Sequence, residues 1–62
     1  MAKNKIRYLY YQNPDTGRYA TIDTDLNGKV AIIFEGGIKN HASLKDAKDD
    51  LLSRGYEYQS SR

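Results

Sequence analysis

Apolar and polar residues alternate along residues 18–24 and again along 29–35, with Asn27-Gly28 between them. A period of two marks half-buried strands, and Asn-Gly between two such runs marks a hairpin. Ahead of them, "KIRYLYYQ" is aromatic and β-branched and reads as a first strand, closed by the turn "NPDTG". Pro14 presets φ for that turn and Gly17 can take a positive φ. Connections this short join antiparallel neighbours, so the three strands form a meander. "EGGIKNHA" reads as a loop, because Gly36-Gly37 weakens a strand there. The period then becomes helical over roughly 42–56. Ser43 is an N-cap with Asp46 as its short capping-box partner, and Leu44, Ala47 and Leu51 make an apolar stripe with Leu52 alongside. Gly55 supplies the stop. Lys45, Asp46, Asp49, Asp50 and Ser53 fall on the outer side of this helix.

The hydrophobic pattern selects the register of the second hairpin. A two-residue Asn27-Gly28 loop sets Ile22 opposite Ile33. A three-residue Leu26-Asn27-Gly28 loop, bulged at Gly28, sets Ile22 opposite Ile32 and Ala20 opposite Phe34. Only the second gathers Ala20, Ile22, Val30, Ile32 and Phe34 on one face, so the bulged turn is expected. The first strand leaves two options. A four-residue "PDTG" loop sends Leu9 and Tyr11 inward, which turn chemistry favours; a five-residue loop sends Ile6, Tyr8 and Tyr10 inward instead. Tyr56 and Tyr58 read either as a short further strand or as a tail on the sheet edge.

The expected fold is therefore α+β, a three-stranded antiparallel meander with one helix on one face (β-β-β-α) and a possible short C-terminal strand. Sixty-two residues make a single domain, with 1–4 and 59–62 as flexible ends. One helix covers one face of the sheet. The other face, which carries Tyr19, Thr21, Asp23, Ala31 and Ile33, has no element left to cover it.

Composition narrows the chemistry. With no cysteine there is no disulfide and no thiolate metal site, and the one histidine, His41, reads as a solvent-exposed loop residue without an orienting partner. Asp23 and Asp25 flank a turn, an ordinary place for aspartate. Neither a phosphate-loop nor a dinucleotide fingerprint is present, so Gly36-Gly37 reads as a connection. No enzyme, cofactor or metal is expected. The longest apolar run, "VAIIF", has five residues, and no signal-peptide stretch opens the chain, so no membrane contact and a cytoplasmic location are expected.

Charge points to a surface. Ten Lys and Arg against eight Asp and Glu leave +2. Residues 1–22 hold Lys3, Lys5, Arg7 and Arg18 against Asp15 alone, whereas residues 43–54 balance. The helix, with Asp46, Asp49 and Asp50, would repel phosphate, so nucleic acid would meet the sheet. The expected binding residues are Lys5, Arg7, Tyr8, Tyr10, Arg18, Tyr19, Thr21 and Lys29, an aromatic patch with basic neighbours. The expected function is a small non-enzymatic binding module, phage or mobile-element encoded, that takes nucleic acid on its open face. The alternative is a protein partner, as for an antitoxin or inhibitor, on the same face.

Two families share parts of this pattern. "NPDTGRY", three strands and then "SLKDAKDDLL" resemble the amino-terminal arm-binding domains of phage-type integrases, which implies a three-stranded sheet backed by a helix that reads DNA with the sheet. "GRYATIDTDLNG" with the same helix also resembles HicB-type antitoxins through Gly17, Tyr19, Asp25, Leu26, Gly28, Ser43, Leu44 and Ala47. That resemblance implies capture of a toxin or another protein.

Overall fold

A computed structural model describes residues 6–62. Strands β1 (Tyr8–Gln12), β2 (Tyr19–Leu26), β3 (Lys29–Phe34) and β4 (Gly37–His41) are followed by helix α1 (Leu44–Ser53) and strand β5 (Glu57–Ser61). The α+β class stands, but the sheet is five-stranded rather than three-stranded, in the order β4-β3-β2-β1-β5 with every pairing antiparallel. Helix α1 leaves β4 at one edge of the sheet and delivers β5 to the other. It must cross a face on the way.

Local chemistry sets each turn. Asn13 Oδ1 accepts the backbone N–H groups of Asp15 (2.8 Å) and Thr16 (3.3 Å). The Asn13 carbonyl accepts from Gly17, which sits at φ 77°. This four-residue loop pairs Leu9 with Ile22 and Tyr11 with Ala20, so Leu9 and Tyr11 are the inward residues of β1. In the second hairpin Ile22 does face Ile32 and Ala20 does face Phe34. The expected bulged turn is not what produces this register. Asn27 (φ 54°) and Gly28 (φ 80°) form a two-residue turn closed by Leu26 and Lys29. The extra residue lies further back, where Thr24 and Asp25 together oppose Val30. Asp23 Oδ1 accepts the Asp25 N–H (2.9 Å), and the Thr24 N–H turns to the Arg7 carbonyl (2.9 Å).

Two expectations need correcting at the edges. "GIKNH" is strand β4 rather than loop, paired with β3 from Phe34–Gly37 to Val30–His41. Residues 57–61 form β5 on β1, and the end expected to be loose is hydrogen-bonded. The Arg62 carbonyl accepts the N–H groups of Arg7 and Tyr8 at 2.8 Å each, and the Arg62 N–H donates to the Tyr8 carbonyl at 2.9 Å.

The core lies between α1 and the sheet: Leu9, Tyr11, Ala20, Ile22 and Ile32 against Ala47 and Leu51, with Val30, Phe34, Leu44 and Tyr56 packed around them. Ser43 Oγ accepts the Asp46 N–H, as expected of the N-cap. At the other end Gly55 takes φ 88°, and the Tyr56 and Gly55 N–H groups donate to the carbonyls of Leu51 and Leu52. That Schellman closure brings Tyr56 back over the core, 6.1 Å edge-on from Phe34. Leu52, expected beside the stripe, is instead 58% exposed. Among the described residues no helix is long and apolar enough to cross a membrane.

Candidate functional site: the open face of the sheet

Strand alternation decides which side chains α1 leaves uncovered. The pairings set two rows across the open face. One runs Tyr10–Thr21–Ile33–Ile38 and the other Tyr8–Asp23–Ala31–Asn40, each across β1, β2, β3 and β4. Tyr19 and Gln12 begin a third row, and Lys29 is in step with Ala31 and Ile33. The face carries exposed apolar and aromatic side chains. Ile38 is 62% exposed and Tyr19 60%, while the rings of Tyr8 and Tyr10 stack at 6.4 Å and 23°.

The second row has a sealed middle. Ala31 and Asp23 lie on this face yet are buried, Asp23 with only 2% of its surface exposed. The Asp23 carboxylate accepts Arg7 Nε at 3.0 Å and Nη2 at 3.3 Å, a two-pronged pair. The guanidinium also lies 5.2 Å from the Tyr8 ring centre. Hydrogen bonding from Arg7 holds the Asp23 carboxyl below the usual carboxylate range against the opposing effect of burial. Asp23 was expected to be a plain turn residue; it anchors the bulge and neutralises the nearest cation.

The other expected site residues are dispersed. Tyr8, Tyr10, Tyr19 and Thr21 share the face, and Lys29 sits at its margin with Leu26, Asn27, Ile38 and Asn40 around a shallow depression. Arg18 stands one residue before β2, in step with Ala20 and paired through its carbonyl with Asn13. That phase belongs to the helix side. Lys5 lies outside the described residues. Ile38 and Asn40 were missed, since they belong to a strand read as loop.

A second polar cluster lies on the helix side. Asp50 Oδ1 accepts Arg54 Nε at 2.8 Å, and Oδ2 lies 3.1 Å from Lys39 Nζ and 3.0 Å from His41 Nε2. His41 is therefore not a solvent-exposed loop residue. It ends β4, its side chain is 13% exposed, and Asp50 is the partner that spacing did not reveal. Asp50 is likewise turned from the outer side of the helix toward β4. Hydrogen bonds from Arg54, then from Lys39 and His41, lower its carboxyl to about 2 although burial opposes them. One carboxylate thus ties β4 and the helix C-terminus together. Among the described residues no group of three or more His, Cys, Asp or Glu is placed to hold a metal ion.

Comparison of this chain with protein-family models, with curated proteins and with solved structures finds no match. The integrase-type and HicB-type resemblances accordingly rest on the residues that carry them.

Proposed function

We propose that this chain is a non-enzymatic binding module that meets its partner with the open face of its sheet, and that the partner is a protein. The observation that carries this reading is the uncovered row Tyr10–Thr21–Ile33–Ile38, ending in the 62% exposed Ile38 and flanked by the 60% exposed Tyr19. Tyrosines beside aliphatic side chains are the usual anchors of protein interfaces. Charge supports the same partner. Of the cations expected here, and among the described residues, Arg7 is engaged by Asp23 and Arg18 is in step with the other face, which leaves Lys29. Phosphate binding relies on several cations free to displace counterions.

One observation favours nucleic acid as a second reading. Tyr8, Tyr10 and Tyr19 on adjacent strands form an aromatic platform of the kind on which unpaired bases stack. A cytoplasmic setting and a phage or mobile-element origin belong to either reading. The deciding experiment runs two assays on wild type and Tyr19→Ala: affinity capture from a lysate of the source organism, and anisotropy with single-stranded and duplex oligonucleotides at two salt concentrations. The expected result is a stoichiometric protein partner lost in Tyr19→Ala, with no oligonucleotide binding. Oligonucleotide binding that falls with salt and with Tyr19→Ala transfers the function to nucleic acid. Binding of either kind that Tyr19→Ala leaves intact refutes the face.

A further inference from the structure

The two edges of the sheet are built differently. β5 is irregular: its register on β1 shifts between Tyr10 and Tyr11, the kind of bulge that spoils an edge as a template. β4 pairs without interruption over all of its five residues, from Gly37 to His41, and contains neither bulge nor proline. Its two-residue connection to β3 makes Phe34 and Gly37 a hydrogen-bonded pair. By alternation Ile38 and Asn40 then turn their backbone N–H and C=O groups away from β3. Lysine on an edge strand is a common guard against pairing. Here Lys39 is drawn off the edge toward the helix, with Nζ 3.1 Å from Asp50.

We propose that β4 pairs antiparallel with β4 of a second copy of this chain, Ile38 opposite Ile38, to make a two-fold symmetric dimer with one continuous ten-stranded sheet. A two-fold axis normal to the sheet requires antiparallel edges, and outward-facing residues must oppose outward-facing ones. Three registers satisfy both conditions and pair at least three residues of each β4 with one another. Centring on Lys39 sets that cation against itself. Centring on Asn40 sets Lys39 against His41 and carries Ile38 past the end of the strand to Ala42. Centring on Ile38 avoids both cation pairings and sets the exposed Ile38 against itself, with Asn40 carried past the end of the strand to Gly36. Lys39 then faces Gly37, which has no side chain to oppose it. On the open face the row Tyr10–Thr21–Ile33–Ile38 continues into Ile38–Ile33–Thr21–Tyr10 of the second copy and covers the most exposed aliphatic residue on the sheet. The interface is an edge, so its contact area is small and its affinity modest.

The test is sedimentation of the full chain from about 10 μM to about 1 mM, a range that brackets an interface of this size, with amide spectra recorded over the same series. The average mass is expected to rise from 7.1 kDa toward twice that value, with the Ile38 and Asn40 amides moving most. Ile38→Lys sets cation against cation across the axis. Asn40→Pro removes an outward N–H, a place where an edge strand tolerates proline. Both variants should remain monomeric, and Tyr19→Ala should still dimerise. A wild type that stays monomeric throughout overturns the proposal. So does a dimer that survives Asn40→Pro with the fold intact, since that assembly uses the open face and not the edge. Should Asn40→Pro fail to fold, the wild-type amides decide: movement confined to Tyr10, Tyr19 and Ile33 also overturns it. Ile38 is shared with the face assigned to a partner above, but the backbone groups of the edge are not part of that face, so a monomeric result leaves that assignment standing.

Discussion

Replacing Asp50 with asparagine isolates the charge of the carboxylate that holds β4 to the helix, because size and shape are kept while ionisation is lost. The folded carboxyl titrates at about 2, against an ordinary value of 3.8. A shift of that size corresponds to roughly 2 kcal/mol of differential stabilisation. Lys39 and Arg54 are about half exposed, with 49% and 47% of their side-chain surface open to water, so solvent screens both ion pairs. About 1 kcal/mol is the working figure once that screening is included. The sign follows from the depressed value. Stabilisation is complete above the unfolded value and disappears as pH falls from about 4 through about 2, because the protonated carboxyl no longer attracts Lys39, His41 or Arg54. Urea unfolding followed by far-ultraviolet circular dichroism, at steps from pH 7 to pH 2, measures the gap between wild type and Asp50→Asn. The gap should be about 1 kcal/mol at pH 7 and close toward pH 2. Asp23, whose carboxyl Arg7 also holds low, weakens both proteins in acid and cancels in the difference. A gap that persists unchanged at pH 2 would place the effect in packing. No gap at neutral pH would mean that the cluster contributes nothing to stability.

Leu51→Ala, at a residue with no exposed surface, should cost about 2–4 kcal/mol, whereas Leu52→Ala next to it should stay within about 0.5 kcal/mol; chemical denaturation of the pair checks the phase of the helix. Gly28→Ala meets nothing within 4 Å, so its cost should come from φ +80° alone, about 1–2 kcal/mol in the same assay. Tyr19→Ala should shift unfolding by about 0.5 kcal/mol or less. Its loss of partner affinity should reach about 2 kcal/mol or more, which separates an anchor from an ordinary surface residue.

Whatever depends on neighbours in sequence was legible before any coordinates. Ser43 and Gly55 bound the helix because capping is satisfied within a turn of chain. Of the two options the first strand left open, turn chemistry favoured the one found, with Leu9 and Tyr11 facing the core and the "PDTG" loop counting four residues between Asn13 and Arg18. The register of Ile22 on Ile32 followed from the need to gather five apolar side chains on one face. The bulge that achieves it did not, because any one extra residue between Asp23 and Lys29 gives the same count. Tertiary contact placed it at Thr24 and Asp25, where Asp23 accepts the turned N–H and Arg7 supplies both a carbonyl and a counter-ion. The two outer strands were hidden for a related reason. β4 and β5 expose most of their side chains, so no apolar alternation marks them, and the ladder that defines them lies in β3 and β1. His41 and Asp50 are nine residues apart, and only packing α1 against β4 makes them partners. Alternation along β2 and β3 was enough to imply an uncovered sheet face. Its extent and its charge were decided in three dimensions, where β4 adds Ile38, Asp23 engages Arg7, and Arg18 falls in step with the opposite side.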